Sequence, residues 1–311
     1  MHKVFIDGGH GTTGLRIHEY LCRRDDIELL QATPELRKDT EARLELIRQA
    51  DVSILCLPDA AAREIAQLAP EDAVLIDTST AHRTDPAWVY GMPELAKDQR
   101  DRIRASTRIA NPGCHASGFI LLVRPLVDAG LLPPEALLTC FCVTGYSGGG
   151  KKMIAQYESP GMPEALHSPG QYALGQQHKH LPEMIRETGL LNAPCFCPVV
   201  SDFYSGMVMT VPVHAGQLAK PAGLAGLREI LEERYAGEPL VKVTAGDPEG
   251  GFLYAGPMAG RNDVEIRVSG NDERILLTAA YDNLGKGASG AAVQNLNIVL
   301  GAEETLGLVQ D

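Results

Sequence analysis

The stretch Lys3-Val4-Phe5-Ile6-Asp7-Gly8-Gly9-His10-Gly11-Thr12-Thr13-Gly14 decides the fold. An apolar run of strand length ends at Asp7, and glycines follow at 8, 11 and 14. The chain then enters a helix-period segment, Thr13 to Arg24, with Leu15, Tyr20 and Leu21 set toward a core. A strand, a glycine turn and a helix in this order offer free N–H groups and the positive end of a helix dipole to a pyrophosphate. The spacing is GxxGxxG, looser than GxGxxG, so the position between strand and helix carries the argument. Gly8, Gly11, Thr12, Thr13 and Gly14 are the expected contacts to a dinucleotide.

Outward from this unit, Ile27 to Ala32, Val52 to Leu57 before Pro58, and Val74 to Asp77 read as strands. Thr40 to Ala50 and Ala60 to Leu68 read as helices. Strands alternating with helices predict an α/β fold with a Rossmann-like doubly wound parallel sheet. After a helix from about His115 to Ala129, period-two runs appear at Met207–Val213, Val264–Val268 and Ile275–Tyr281, with a lone helix at Leu224–Tyr235. These predict a second α+β domain built on a largely antiparallel sheet. Helical spacing resumes past Gly285, at Ala288, Ala292, Leu296, Val299 and Leu300.

The second strand bears on the cofactor. An NAD site usually places Asp or Glu at the end of this strand for the ribose hydroxyls. Here Ala32-Thr33-Pro34-Glu35-Leu36-Arg37-Lys38 brings two cations instead, which favours NADP through Arg37 and Lys38; Glu35 keeps NAD open.

Composition sets outer limits. The 311 residues carry 28 basic and 40 acidic side chains, a net charge of −12, so a phosphate site must be a local arrangement and a polyanion groove is excluded. The length suits two domains. No apolar run approaches a bilayer span, and the opening residues are too short an apolar run for a secretory segment. Seven cysteines, an odd number, point to free thiols and a reducing compartment, the cytoplasm. Cys140-Phe141-Cys142 and Cys195-Phe196-Cys197 are C-x-C pairs without the C-x₂₋₄-C spacing of structural zinc, so they read as strand cysteines and no metal is assigned.

The most informative stretch is Asn111-Pro112-Gly113-Cys114-His115-Ala116-Ser117-Gly118-Phe119. A turn opens into an apolar helix, placing Cys114 at or near a helix N-terminus, where dipole and unpaired amides favour a thiolate. A thiol nucleophile needs a base or cationic partner. His178-Lys179-His180-Leu181-Pro182-Glu183 offers two imidazoles before a helix start, and His10, His82 and His115 compete for the same duty. Tyr146-Ser147-Gly148-Gly149-Gly150-Lys151-Lys152 and Asp77-Thr78-Ser79-Thr80-Ala81-His82-Arg83 read as anion-binding loops; Ser79 is placed with the cofactor contacts, and Arg83 is a candidate clamp for a carboxylate or phosphate.

These motifs, together with Asn283-Leu284-Gly285-Lys286-Gly287-Ala288-Ser289-Gly290 and the residues to Asn295, occur in an order that resembles the N-acetyl-γ-glutamyl-phosphate reductases of the shorter type, relatives of aspartate-semialdehyde dehydrogenase. The resemblance spans nearly the whole chain. It implies NADPH-dependent reduction of an acyl phosphate in arginine biosynthesis, with Cys114 as nucleophile, His180 as acid/base and His178 second to it. It also implies substrate contacts from Arg83, Asn111, Ser147, Lys151 and His178, and a homo-oligomer, dimer or tetramer, with no nucleic-acid or membrane partner. The closing helix would return to the nucleotide domain, giving 1–113 with 285–311 and a catalytic and oligomerisation domain at 114–284. Members of the longer type carry Asp-Phe where this chain has Thr80-Ala81-His82, which loosens the assignment of Arg83. Two other readings stand beside it: aspartate-semialdehyde dehydrogenase or another acyl-phosphate reductase, and a dinucleotide-binding sensor with an oxidisable Cys114.

Overall fold

In a computed structural model, which describes residues 1–310, the chain forms two compact units, 1–113 with 288–309 and 114–287 with Gln310. The first contains strands β1 (His2–Asp7), β2 (Ile27–Leu30), β3 (Val52–Leu55), β4 (Leu75–Asp77), β5 (Val89–Tyr90) and β6 (Arg108–Ala110), with helices α1 (Thr12–Leu21), α2 (Thr40–Gln49), α3 (Asp59–Leu68) and α4 (Gln99–Ala105). The second contains α5 (Cys114–Asp128), β7 (Thr139–Gly145), α6 (Gly150–Tyr157), β8 (Gly170–Gln171), α7 (Leu181–Thr188), β9 (Cys195–Ser201), β10 (Met207–His214), α8 (Gly223–Tyr235), β11 (Val241–Val243), β12 (Val264–Gly270) and β13 (Arg274–Tyr281). A π-helical segment, Gly285–Ser289, leads back to α9 (Gly290–Leu300) in the first unit. The compact units divide between Gly287 and Ala288, and Gln310 groups with the second unit.

The first sheet is wholly parallel, ordered β2-β1-β3-β4-β6-β5. Its strands are buried on both faces, so alternate residues feed two cores. Val4, Ile54, Ile76 and Ile109 join α1, α4 and α9 through Ile17, Ile103 and Leu296. Phe5, Leu55, Leu75 and Ala110 join α2 and α3 through Leu44, Ile47 and Ile65. The order reverses beside β1, whose C-terminal end carries the glycine turn, the position at which doubly wound sheets hold ligands. One detail of α1 differs from the sequence reading. Tyr20 and Leu21 are buried, but Leu15 is 45 % exposed and lies in the wall of a cleft, because Gly14 and Ile17 occupy the core-facing stripe.

The second sheet, β11-β12-β13-β10-β7-β9-β8, is mixed. Its centre is antiparallel, and β7/β9 and β11/β12 pair parallel. Met209, Val211, Ile266, Leu277 and Ala279 form a buried inner face, over which α5 and α8 pack. The in-register pairing of Cys140 with Phe196 and of Phe141 with Cys197 separates the two C-x-C pairs, since partners on adjacent parallel strands share a face. Cys140 and Cys142 are buried; Cys195 is exposed on the opposite side. A four-thiolate site is therefore geometrically excluded.

Candidate active site

Cys114 is the first residue of α5 and is half-buried. Its Sγ lies 3.3 Å from Nδ1 of His115, whose Nε2 is 2.9 Å from the hydroxyl of Tyr172. The His115 ring is enclosed by His178, His180 and Phe196, with centroids 5.5, 5.3 and 5.3 Å away. Sγ of Cys114 and one ring nitrogen each of His115 and His180 lie within 4.8 Å of one another. Burial pushes His115 down to about 3, with the charges of His178 and Lys179 acting in the same direction, so this imidazole is neutral at neutral pH. Burial likewise pushes the Tyr172 hydroxyl well up, so it keeps its proton. His115 is therefore an uncharged hydrogen-bonding partner of the sulfur, with Tyr172 setting its tautomer.

His180 is buried at the start of α7, and its Nε2 is 3.9 Å from Oε1 of Glu183. Its main-chain N–H donates to Nδ1 of His178 at 3.2 Å, which ties the two imidazoles into one turn. The loop carrying Tyr172 and both histidines is anchored by Gln176. Its carboxamide donates to the Phe196 carbonyl and accepts from the Phe196 N–H, both at 2.8 Å, as a neighbouring strand would. Ala173 and Gln176 both hold φ of 53°, a left-handed conformation that non-glycine residues keep only where surrounding bonds enforce it.

The main chain of Cys114 is fixed by Tyr281, the last residue of β13. Its hydroxyl donates to the Cys114 carbonyl at 2.5 Å and accepts from the Gly118 N–H at 3.1 Å. A Cβ on Gly118 would stand 2.5 Å from that hydroxyl, and a Cβ on Gly287 would stand 2.9 Å from Cβ of Cys114. Both positions need glycine for close approach rather than for a left-handed backbone.

The remaining motif residues separate by unit. Ser147 is buried in the second unit, where its Oγ accepts from Nδ2 of Asn283 at 2.9 Å. The glycine-rich stretch is not an open loop as read from sequence: it is a 3₁₀ turn followed by α6, with exposed Lys151 in the first helical turn. In the first unit, buried Asp77 accepts from the Ser79 N–H and Oγ and pairs with Nδ1 of His82, which stacks on Trp88 at 4.0 Å. Arg83 donates Nε–H to the Asn111 carbonyl and Nη2–H to the Thr78 carbonyl, so it braces the turn before Cys114 in the chain. Asn111 donates to the Ala288 carbonyl at 2.9 Å.

The glycine turn lines a cleft of about 770 Å³ in the first unit. Gly8 has φ +82°, and a Cβ there would lie 2.4 Å from the Cys56 carbonyl oxygen; a Cβ on Gly14 would lie 2.7 Å from Cα of Gly9. Gly11 precedes α1 and supplies it with no side-chain cap, and Oγ1 of Thr12 is buried with no hydrogen-bond partner among the described residues. Uncapped N–H groups, an orphaned hydroxyl and a backbone stripped of Cβ atoms fit a pyrophosphate. Leu15 and Leu29 supply an apolar wall, and Arg37 and Lys38 line the same cleft. These residues fit a dinucleotide.

Family models match both halves: "Semialdehyde dehydrogenase, NAD binding domain" over 3–103 and "Semialdehyde dehydrogenase, dimerisation domain" over 114–283. Among curated proteins, N-acetyl-gamma-glutamyl-phosphate reductase 2 of Nostoc sp. is 45 % identical over 318 residues, covering 98 % of this chain and 99 % of the relative. The N-acetyl-gamma-glutamyl-phosphate reductase of Brucella ovis is 44 % identical over 306 residues, covering 96 % and 99 %. The chain belongs to the N-acetyl-γ-glutamyl-phosphate reductase family. Its fold is also that of solved aspartate-semialdehyde dehydrogenases. The Vibrio cholerae enzyme II complexed with ASA gives a TM-score of 0.72 at 19 % identity, over 97 % of this chain and 98 % of that one. The Francisella tularensis enzyme gives 0.72 at 13 %, over 96 % and 100 %.

In this member of the reductase family the first unit is a nicotinamide-dinucleotide-binding domain. Sequence reading missed Tyr172 and Tyr281, which occupy an unremarked loop and a strand end. Gly118 carried a signal, since a glycine inside an apolar helix usually marks a close approach. Arg43 carried none. It lies on α2, lines the cleft, and forms a buried pair with Asp7, Nη2 to Oδ2 at 2.7 Å.

Proposed function

We propose that this chain reduces N-acetyl-γ-glutamyl phosphate with NADPH to N-acetylglutamate 5-semialdehyde and phosphate, the reductive step of arginine biosynthesis. The observation carrying this reading is Cys114 at the start of α5, its sulfur beside His115 and within reach of His180, in a chain so closely related to curated reductases of that name. The Cys114 thiolate, favoured at a helix N-terminus, attacks the acyl carbon; the C–S bond forms, the C–O bond to phosphorus breaks, and phosphate departs with that electron pair. When bound, the nicotinamide supplies a hydride for the thioester carbonyl. His180 protonates the alkoxide that results and takes the proton back as the carbonyl re-forms and the C–S bond breaks, returning Cys114 as thiolate. Neutral His115 hydrogen-bonds the sulfur throughout without adding charge.

NADP rather than NAD is supported by Arg37 and Lys38 in the cleft and by Gln31 and Ala32, not an acid, after β2. Ser79 and Thr13 complete the proposed cofactor contacts. Arg83, Asn111, Ser147, Lys151 and His178 are the proposed substrate contacts, and Arg83 also bonds the Asn111 and Thr78 carbonyls through Nε and Nη2. A homo-oligomer is supported by the outer face of the second sheet, where Phe141 and Leu276 are 42 % and 41 % exposed. No described helix is long and apolar enough to cross a membrane, and we place the protein in the cytoplasm. The test runs the reaction in reverse: N-acetylglutamate semialdehyde, phosphate and NADP should yield NADPH by absorbance, and Cys114→Ser should remove it. Absence of NADPH formation, or undiminished turnover in Cys114→Ser, overturns the reading.

A further inference from the structure

We infer that Cys114, His115 and His180 form a reversible binding site for Zn²⁺, whose occupation masks the nucleophile. This rests on the reading of Cys114 given above. The donor set is one thiolate and two imidazoles, a combination suited to zinc and unsuited to magnesium or calcium. Tetrahedral zinc holds sulfur at about 2.3 Å and nitrogen at about 2.0–2.1 Å, which sets its ligand atoms roughly 3.3–3.8 Å apart. The Cys114–His115 pair already stands at 3.3 Å, and all three donor atoms lie within 4.8 Å of one another, so side-chain rotation of an ångström or so closes the set.

The surroundings match what such ligands need. With Nδ1 of His115 on the metal, its Nε2–H donates to the Tyr172 hydroxyl at 2.9 Å, the outer hydrogen bond that fixes tautomer and ring plane in metal-bound histidines. The buried Glu183 carboxylate stands 3.9 Å from Nε2 of His180, near but outside hydrogen-bond range. Phe196 packs against the His115 ring on a further side. Three protein ligands leave one position for water or a phosphate oxygen. As the Zn–S bond forms the thiol proton passes to solvent, and nothing is oxidised or reduced. The C-x-C pairs do not compete as a four-sulfur site, because their sulfurs lie on opposite faces of the sheet.

The test uses the whole protein in a Cys195→Ser/Cys197→Ser background, titrated anaerobically with Co²⁺ as a spectroscopic stand-in. One equivalent should produce a sulfur-to-cobalt charge-transfer band with the visible bands of a tetrahedral ion, and Zn²⁺ should displace it. The band should vanish in Cys114→Ser. Tyr172→Phe should weaken affinity roughly 10–100-fold, the cost of an outer partner, and His115→Phe by at least as much. Circular dichroism checks that each variant is folded. In the turnover assay one equivalent of Zn²⁺ should inhibit, and a chelator should restore activity. Cobalt binding without the sulfur band, or affinity unchanged in both Tyr172→Phe and His115→Phe, overturns the site. Because the band is read without substrate, a protein that shows it but does not turn over the semialdehyde overturns only the functional reading.

Discussion

The hydroxyl of Tyr281 bridges the Cys114 carbonyl and the Gly118 N–H, the two groups that bond to each other in the first turn of a regular α-helix. Cys114, the proposed nucleophile, is thus positioned from a strand of the second sheet and not by its helix alone. In Tyr281→Phe the two helix groups are left to close on each other, shifting Cys114 with a net stability loss of about 1 kcal/mol. A displacement approaching an ångström costs up to roughly 10²-fold in turnover, so kcat should fall with little change in KM for NADPH. The alkylation rate of Cys114 against pH separates this from a merely structural effect. Gly118→Ala should lower stability by roughly 1–3 kcal/mol through overpacking against the same hydroxyl. The double variant should lose somewhat less than the sum of the two, because the nearest clashing atom, the hydroxyl, is gone while Cε1 of the ring and Cβ of Met209 remain.

His115 links the site to acid stability. Its native pKa is pushed down to about 3, against 6.5 for the ordinary group, chiefly by burial. Between these values the unfolded chain binds a proton that the folded chain does not. Stability from this residue is therefore full above pH 6.5 and falls as pH drops toward 3, by up to about 1.4 kcal/mol per pH unit. Denaturant unfolding of wild type and His115→Asn across this range should show the wild type losing stability faster with acid. Parallel pH curves would show that His115 is not held neutral.

What the sequence made legible follows from period and local chemistry. The alternation of Val4/Ile54/Ile76 with Phe5/Leu55/Leu75 gave the doubly wound sheet, because strands buried on both sides read as apolar runs. Asn111-Pro112-Gly113 announced the helix start at Cys114, because turn residues and caps act within a few positions. Tyr172 was not legible. Its contact with His115 is made across 57 residues and depends on the Gln176 clamp, which has no periodic signature. Leu15 was misread because amphipathic spacing marks apolar faces without distinguishing a core from the wall of a ligand cleft.

Arg37 and Lys38 should set cofactor choice. Charge-assisted bonds to a 2′-phosphate are each worth roughly 1.5–3 kcal/mol, so Arg37→Ala/Lys38→Ala should raise KM for NADPH at least roughly tenfold and leave KM for NADH nearly unchanged. Equal losses with both cofactors would place these cations away from the phosphate.

The Asp7–Arg43 pair should be a stability element at the cleft floor. Burial raises Asp7 against the lowering effect of Arg43, and the pair is nearly sealed from solvent. Arg43→Met leaves a buried carboxylate without its partner, which costs roughly 3–5 kcal/mol, whereas Asp7→Asn/Arg43→Met should recover much of that. Thermal unfolding of the two variants measures the difference.

The outer face of the second sheet offers the last test. Phe141 on β7 and Leu276 on β13 project from the face opposite α5 and α8, beside partly exposed Val143, Val208 and Pro212. Apolar side chains gathered on one sheet face, in a domain matching a dimerisation-domain model, favour burial against a second copy. Two arginines placed there would face their symmetry mates without partners, and uncompensated charge at the centre of an interface is strongly unfavourable. Phe141→Arg/Leu276→Arg should shift the proposed homo-oligomer to monomer in sedimentation velocity, with the dinucleotide affinity of the first unit retained. An unchanged sedimentation coefficient in the folded variant would assign oligomerisation to another surface.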